Sequence, residues 1–277
     1  MSASSRPARE RRTDCQSVRQ QTKESERIAA KSMSEICCRL LRFTVADGPR
    51  NMAADEVLLE SAGTGVASLR FYGWSKATLS LGYFQMEALR KRDPRLVELP
   101  FVRRPSGGAT LVHHLEVTYC LALPPGQPWQ TSASWLCRMH TIIAAALAER
   151  GITTTPQAAV GAPPFRGDLC FQHFAAGDLL IDSAKVVGSA QRRQRGALMQ
   201  HGSILLAQSP YTPVLPGIRE LSGRDVRAEE ITAAVQQSFA GSTGWVLVPG
   251  AWTSAELDRI EYLAMAKYAQ DPWNRKR

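Results

Sequence analysis

The sequence predicts an α+β fold, a single domain with a mixed, mostly antiparallel sheet and flanking helices. Three observations predict it. Short stretches rich in β-branched and aromatic residues recur between glycine-bearing turns, several longer stretches carry apolar residues at helical spacing, and neither a repeat nor a linker interrupts the chain after residue 36. With 277 residues, 44% of them hydrophobic, the chain can bury a core of its own.

The first 35 residues stand apart. Over 1–34, eight Arg and Lys face four Asp and Glu, so +4 of the net charge of +9 lies there and +5 remains for the rest. Large apolar side chains are almost missing from this stretch, so burial cannot offset the entropy of ordering it. A disordered basic tail is expected over 1–35, with 36–277 as the folded domain. An Arg- and Ser-rich transit peptide is the competing reading, against which the four acidic residues weigh.

The ordered part opens with a strand over 39–45. Asp47-Gly48-Pro49 then turns into a helix over 51–61 with apolar Met52, Val57, Leu58 and Leu59. Aromatic-rich strands follow at 68–74 and 78–84, then a short helical segment at 86–92 before Pro94. Strands at 101–104 and 110–123 flank Pro105-Ser106-Gly107-Gly108, where paired glycines permit a tight turn and close backbone approach to a ligand. Trp135, Met139, Ile142, Ile143, Ala146 and Leu147 keep helical spacing within 132–150, and Gly151 lies just past that helix. Beyond Pro163-Pro164, the segments between 167 and 206 read as adjacent antiparallel strands with a turn at Gly177-Asp178. Helices at 229–239 and 254–269 close the chain, the second capped by Thr253 or Ser254 and followed by Pro272.

Composition narrows the function. The cysteines at 15, 37, 38, 120, 137 and 170 form no CxxC pair and no zinc-ligand spacing, and no signal peptide precedes them. Neither a metal site nor a disulfide framework is indicated, and a reducing cytoplasm is the expected compartment. No apolar run approaches the roughly 20 residues of a membrane helix. A moderately basic body suits an acidic partner, whereas no Lys/Arg stripe with interleaved aromatics points to nucleic acid.

Chemistry concentrates between 167 and 206. A free thiol of pKa about 8.5 is mostly protonated at neutral pH, and an ammonium near Cys170, such as that of Lys185, favours the nucleophilic thiolate. A cysteine by itself reads more often as a buried structural thiol than as a nucleophile, and Cys120 and Cys137, in an apolar strand and an amphipathic helix, read as core. His173 is an alternative base, though three positions along a strand would turn it to the face opposite Cys170. In Arg103-Arg104-Pro105-Ser106-Gly107-Gly108, two guanidiniums adjoin a turn whose amides could hold an anion or a polarised carbonyl. It is neither a Walker loop nor GxGxxG, and alone it reads as a structural hairpin.

Taken together, Arg103-Arg104-Pro105-Ser106-Gly107-Gly108 with His113, Lys185-Val186-Val187-Gly188-Ser189-Ala190-Gln191, and Gln200-His201-Gly202-Ser203-Ile204-Leu205-Leu206 resemble the three signature blocks of the biotin/lipoate protein ligase superfamily. The resemblance spans about 39–273 and implies a catalytic domain of that type. Asp168-Leu169-Cys170-Phe171 is similar to the block in which LipM-type octanoyltransferases carry their catalytic cysteine, and which ATP-dependent ligases typically lack.

What the resemblance implies is transfer of an octanoyl group from acyl carrier protein to a specific lysine of a lipoyl-domain protein, such as the glycine-cleavage H protein, through a thioester on the enzyme. Cys170 would be the nucleophile, and Lys185 would lower its pKa and move protons. Arg104, Ser106, Gly107, Gly108, His113, Gly188, Ser189, Ala190, His201 and Gly202 would bind substrate, with no cofactor, neither ATP nor a metal. The acyl chain would need an apolar slot, expected between strands 68–84 and 110–123. LipL-type amidotransferases, which move octanoyl from H protein to E2 lipoyl domains, share the pattern. An ATP-dependent ligase, with Lys185 on an acyl-adenylate, and a non-catalytic acyl-protein binding module are the other readings. In one departure from the family block, His114 follows His113 where an Asp is usual. Gly107-Gly108-Ala109 also lacks the third glycine of the ligases, which fits the transferases better.

Overall fold

The computed structural model describes residues 35–131, 134–158 and 169–277. The tail expected over 1–35 lies outside the described residues except for Glu35. The strand expected over 39–45 is divided into β1 (Cys37–Leu41) and β2 (Thr44–Ala46). Helix α1 (Gly48–Gly63) begins earlier than its apolar pattern does, because Asp47 caps it by accepting from the Arg50 N–H at 3.0 Å and Pro49 needs no donor in the first turn.

Strands β3 (Ser68–Trp74), β4 (Thr78–Leu81) and β5 (Phe101–Arg103) follow, with a 3-10 turn (Glu87–Arg92) and the short α2 (Pro94–Val97) between the last two. The single strand expected over 110–123 is broken into β6 (Leu111–His113) and β7 (Glu116–Leu123) by Leu115, whose φ of 45° lies in the left-handed region. That break sends the two halves to different sheets. Next come α3 (Trp135–Ala148), β8 (Thr155–Pro156), β9 (Leu179–Ile181), β10 (Ala184–Gln194) and β11 (Ala197–Leu205). The chain finishes with α4 (Ile218–Ser222), α5 (Ala228–Thr243), β12 (Val246–Gly250), α6 (Ser254–Leu263) and α7 (Asp271–Asn274). Thr253 is the cap of α6, its hydroxyl accepting from the Glu256 N–H.

The main sheet runs β12-β1-β3-β7-β11-β10-β9-β8, with β2 also on β3, and a second sheet runs β5-β4-β6. Pairing is antiparallel from β3 through to β8 and parallel where β12, β1 and β2 join. Helix α1 fills one face of the main sheet: Leu58, Leu59 and Ala62 meet Tyr72, Cys120, Ala122 and Met199, while Met52, Ala53 and Val57 meet Ile260, Leu263 and Tyr268.

Burial pushes the Cys120 thiol well up and the Cys38 thiol to about 12, as suits apolar core thiols. Cys137, read from the sequence as core, is exposed on the outer side of α3. Helical spacing identifies a buried stripe and does not place a residue at its margin.

Two features of this fold position the site. Strand β9 pairs with β10 only as far as Val187, so from Gly188 onward one edge of β10 has no strand neighbour among the described residues. The stretch leading from β5 into the Gly107-Gly108 turn is clamped from far along the chain. Asn274 Oδ1 accepts from the Arg103 N–H at 2.8 Å, the Asn274 carbonyl accepts from Arg103 Nε and a terminal nitrogen, and Trp273 Nε1 donates to the Arg103 carbonyl.

Candidate active site

Cys170 is not on a strand. Leu169 forms a parallel bridge with Thr110, the Cys170 N–H donates to the Thr110 carbonyl, and Cys170–Gln172 make a single 3-10 turn. The expectation that Cys170 and Lys185 meet across adjacent antiparallel strands is therefore corrected. Leu169 packs among Leu79, Leu81, Leu96 and Val112, so the small sheet holds this turn and carries the cysteine over the open edge of β10.

Lys185, on β10, comes to the turn from below. Its ammonium is 2.7 Å from Asp178 Oδ2 and donates to the carbonyls of His173 at 3.0 Å and Cys170 at 3.5 Å. The lysine thus reaches the backbone of the cysteine and fixes the turn. Gly188 makes this possible, since a Cβ there would stand 2.4 Å from Lys185 Cε. Asp178, which sequence reasoning treated as a turn residue, is the carboxylate of a buried ion pair.

Two cavities meet at Cys170. The inner one, of about 60 Å³, is walled by Met52, Tyr72, Leu111, Thr118 and Phe171 together with Arg104, Gly108, His113, Gly188, Ser189, Ala190, His201, Gly202 and Ser203. The outer one, of about 550 Å³, is lined by Phe84, Met86, Leu89, Ala109, His173, Asp178 and Lys185. Cys170, Gly108 and Ser189 line both, and so stand at the neck. The inner slot draws on β3 and on the region of β6 and β7, as the sequence predicts, and also on α1 and β11.

Of the remaining predicted residues, Arg104 is buried and spends its donors on the Ser80, Gly107 and Ala109 carbonyls and the Ser80 hydroxyl. Burial lowers the pKa of its guanidinium and attraction to Cys170 opposes that, so it is a cation within electrostatic reach of the thiol. Ser106 and Gly107 stand behind the wall and outside both cavities. The Ser106 hydroxyl is 2.5 Å from His201 Nε2, and His201 Nδ1 is 2.9 Å from Asp55 Oδ2. Asp55 also accepts from the Tyr72 hydroxyl at 2.7 Å and from Arg70 at 3.1 Å. Gly202 admits close packing, because a Cβ would meet the Gly188 carbonyl at 2.6 Å.

His113 stacks on Trp74 with ring centroids 3.7 Å apart. Its Nδ1 is 2.6 Å from Glu116 Oε1 and its Nε2 2.8 Å from Ser80 Oγ. Burial holds this imidazole below its ordinary pKa of 6.5 although Glu116 pulls the other way. Where the sequence has His114 in place of the usual Asp, His113 takes its carboxylate from Glu116. His114 turns to Ser209 at 3.1 Å.

A further histidine, His140 on α3, escaped the sequence reading because it looks like one more core position of an amphipathic helix. It is buried, with Nδ1 2.7 Å from the Gly177 carbonyl and Nε2 2.8 Å from Ser189 Oγ. Asp55, Glu116 and Asp178 were missed for a related reason, since nothing local marks a buried carboxylate before its partner is known. Among the described residues no group of three or more His, Cys, Asp or Glu is arranged to hold a metal ion. Nor is any helix of the described residues long and apolar enough to cross a membrane.

The site thus sets a turn-borne cysteine at the neck of an apolar slot, beside a buried Lys–Asp pair. The profile of the lipoyl protein ligase A/B catalytic domain matches residues 47–213, which contain this whole constellation, and the chain belongs to that family. Among curated relatives it is 33% identical over 279 residues to the octanoyltransferase LipM of Kyrpidia tusciae, covering 85% of this chain and 97% of that one. To the octanoyltransferase LipM of Bacillus subtilis it is 31% identical over 267 residues, covering 82% and 94%. Among solved structures, a lipoate-protein ligase A bound with ATP superposes with a TM-score of 0.69 at 19% identity, over 87% of this chain and 98% of that one. The bipartite lipoate protein ligase of Thermoplasma acidophilum gives 0.66 at 18%, over 87% and 96%. These two structures share the fold.

Proposed function

We propose that this protein is an octanoyltransferase of protein lipoylation that works without ATP, taking its acyl group from acyl carrier protein and passing it to a lysine of a lipoyl-domain protein. The observation that carries this reading is the place of Cys170, on the wall of both cavities. The chain would lie in the apolar inner slot, where burying its methylenes at about 0.8 kcal/mol each contributes roughly 5 kcal/mol. The donor thioester and the acceptor lysine would use the wide outer cavity in turn.

Cys170 attacks the donor's thioester carbonyl as thiolate, its new C–S bond replacing the donor's, and the donor sulfur leaves carrying the proton that the Cys170 thiol gave up. The acceptor amine then attacks the enzyme thioester, an amide forms as the C–S bond breaks, and the proton the amine sheds restores the Cys170 thiol. Lys185 and Arg104 supply positive charge around that sulfur, and Lys185 also anchors the turn through the Cys170 and His173 carbonyls. Main-chain groups along the free edge of β10 from Gly188 onward are available to the oxyanion. The relatives named octanoyltransferases, matched along nearly their full length, favour this reading over an ATP-dependent ligase.

Incubation with octanoyl-acyl carrier protein and no nucleotide should add the mass of one octanoyl group to the intact protein. Cys170→Ala should form no adduct and lose transfer by a factor of at least ~10³ while keeping its melting temperature. Full transfer by that variant would end the covalent reading.

A further inference from the structure

Ser189 stands at the neck beside Cys170, and its hydroxyl is tied to His140. Because the Gly177 carbonyl can only accept, the hydrogen of His140 is on Nδ1, and Nε2 is left as an acceptor. The hydroxyl at 2.8 Å must then donate to it. The lone pairs of Ser189 Oγ remain to receive, one of them already used by Gln200 Nε2 at 3.3 Å. Gln200 is itself held by donating to the Tyr119 hydroxyl and accepting from Gln191. A hydroxyl at the junction of two cavities is thus backed by a buried imidazole whose tautomer the backbone fixes. A serine that served only packing would not need this orientation.

We infer that Ser189 and His140 form the proton relay of the second half-reaction, receiving the proton that the acceptor lysine sheds as it attacks the Cys170 thioester. The inference rests on the acyltransferase reading and assigns a step that Lys185 is badly placed to serve. Lys185 already donates to Asp178 and to two carbonyls. In the relay the amine nitrogen bonds to the carbonyl carbon and the C–S bond breaks. The nitrogen's proton passes to Ser189 Oγ as the serine's own proton passes to His140 Nε2. The imidazolium then returns its proton through Ser189 to the departing Cys170 sulfur, restoring the free thiol. Ser189 touches the reacting atoms, and His140 is a positioning residue that acts through it.

The groups facing His140 fit the role. Burial is the largest influence and pushes its pKa below 6.5, the Lys185 ammonium acts the same way, and the Gly177 carbonyl and Asp178 oppose them. The imidazole is therefore neutral and able to accept at physiological pH. The Tyr119 phenol, beside both Gln200 and Ser189, is kept protonated by its burial although those two contacts oppose it.

The test separates the half-reactions. Loading of Cys170 from octanoyl-acyl carrier protein and single-turnover transfer to a lipoyl domain are timed from about pH 5 to 8 for wild type, His140→Gln, Ser189→Ala and Ser189→Thr. Glutamine can keep both hydrogen bonds of His140 and cannot take the proton. The relay requires that His140→Gln slow transfer at least ~30-fold more than loading, and that the acid-side loss of transfer, which sets in below the ordinary histidine pKa, disappear in that variant. Ser189→Thr should recover most of what Ser189→Ala loses. Equal slowing of both half-reactions, or an unchanged pH profile in His140→Gln, would overturn the relay while leaving the transferase reading intact. A wild-type protein that never loads would overturn both.

Discussion

Two buried ion pairs flank the pocket, and they are built differently. Asp55 and Arg70, with side chains 0% and 3% exposed, lie between α1 and the centre of the main sheet. There the carboxylate also holds Tyr72 and His201, and the guanidinium reaches both the side chain and the carbonyl of Asn51. Asp178 and Lys185 are nearly as buried, at 2% and 5%, yet both line the outer cavity. The first pair is enclosed by protein, and its hydrogen bonds tie helix, sheet and pocket wall into one unit. The second meets the space where substrate would enter, and its lysine holds the carbonyls of the turn that carries the cysteine. Similar chemistry maintains shape in one place and positions a reactive turn in the other.

The sharpest way to break this comparison is Asp55→Asn. It leaves Arg70 buried without a counter-charge, and equilibrium unfolding should show a loss of about 3–5 kcal/mol. A loss below ~1 kcal/mol would mean that the enclosed pair is not structural in the sense argued. Asp178→Asn should be milder in stability, about 1–2 kcal/mol, because Lys185 keeps two carbonyl acceptors and a cavity that admits water. Its larger effect should be on acyl-enzyme formation, and a variant that loads at the wild-type rate would show that the pair is not needed to hold the cysteine's turn.

A third pair, Arg39 with Glu256, is only partly buried and sets the lower end of the scale. Burial alone would raise the Glu256 carboxyl, but the bidentate Arg39 contact, the Thr253 N–H and the Ser61 hydroxyl together hold it at about 2. A depressed carboxylate stabilises the fold above its unfolded pKa of about 4.5 and loses that contribution as pH falls toward 2. Glu256→Gln should therefore cost about 1 kcal/mol or less near neutrality and flatten the acid-unfolding curve across that window. An unchanged curve would place the carboxylate outside the pair in solution.

Much of the fold was legible because its elements obey local rules. The strand at 68–74, the apolar stripe of α3 and a cap at Thr253 or Ser254 followed from periodicity and capping chemistry alone, and the structure selects Thr253. What escaped was long-range. β12, which pairs in parallel with β1 from more than two hundred residues away, carries neither a turn partner nor a clean alternation to announce it. The same division holds in the site. Cys170, Lys185 and the glycine turns were found through blocks of adjacent residues, whereas Asp55, His140 and Asp178 matter through what they touch. The strand assigned to Cys170 failed because its flanking residues pair with the small sheet rather than with β10.

The clamp on Arg103 gives the assembly of the site an order in time. The Arg103 side chain and backbone are held by Asn274, 171 positions further on, so a chain emerging from the ribosome carries the glycine turn and the cysteine well before the segment that secures them. Contacts of such sequence separation close late. The pocket therefore takes its final form only after the segment around Asn274 has been made, and until then the glycine turn beside the cysteine is unclamped.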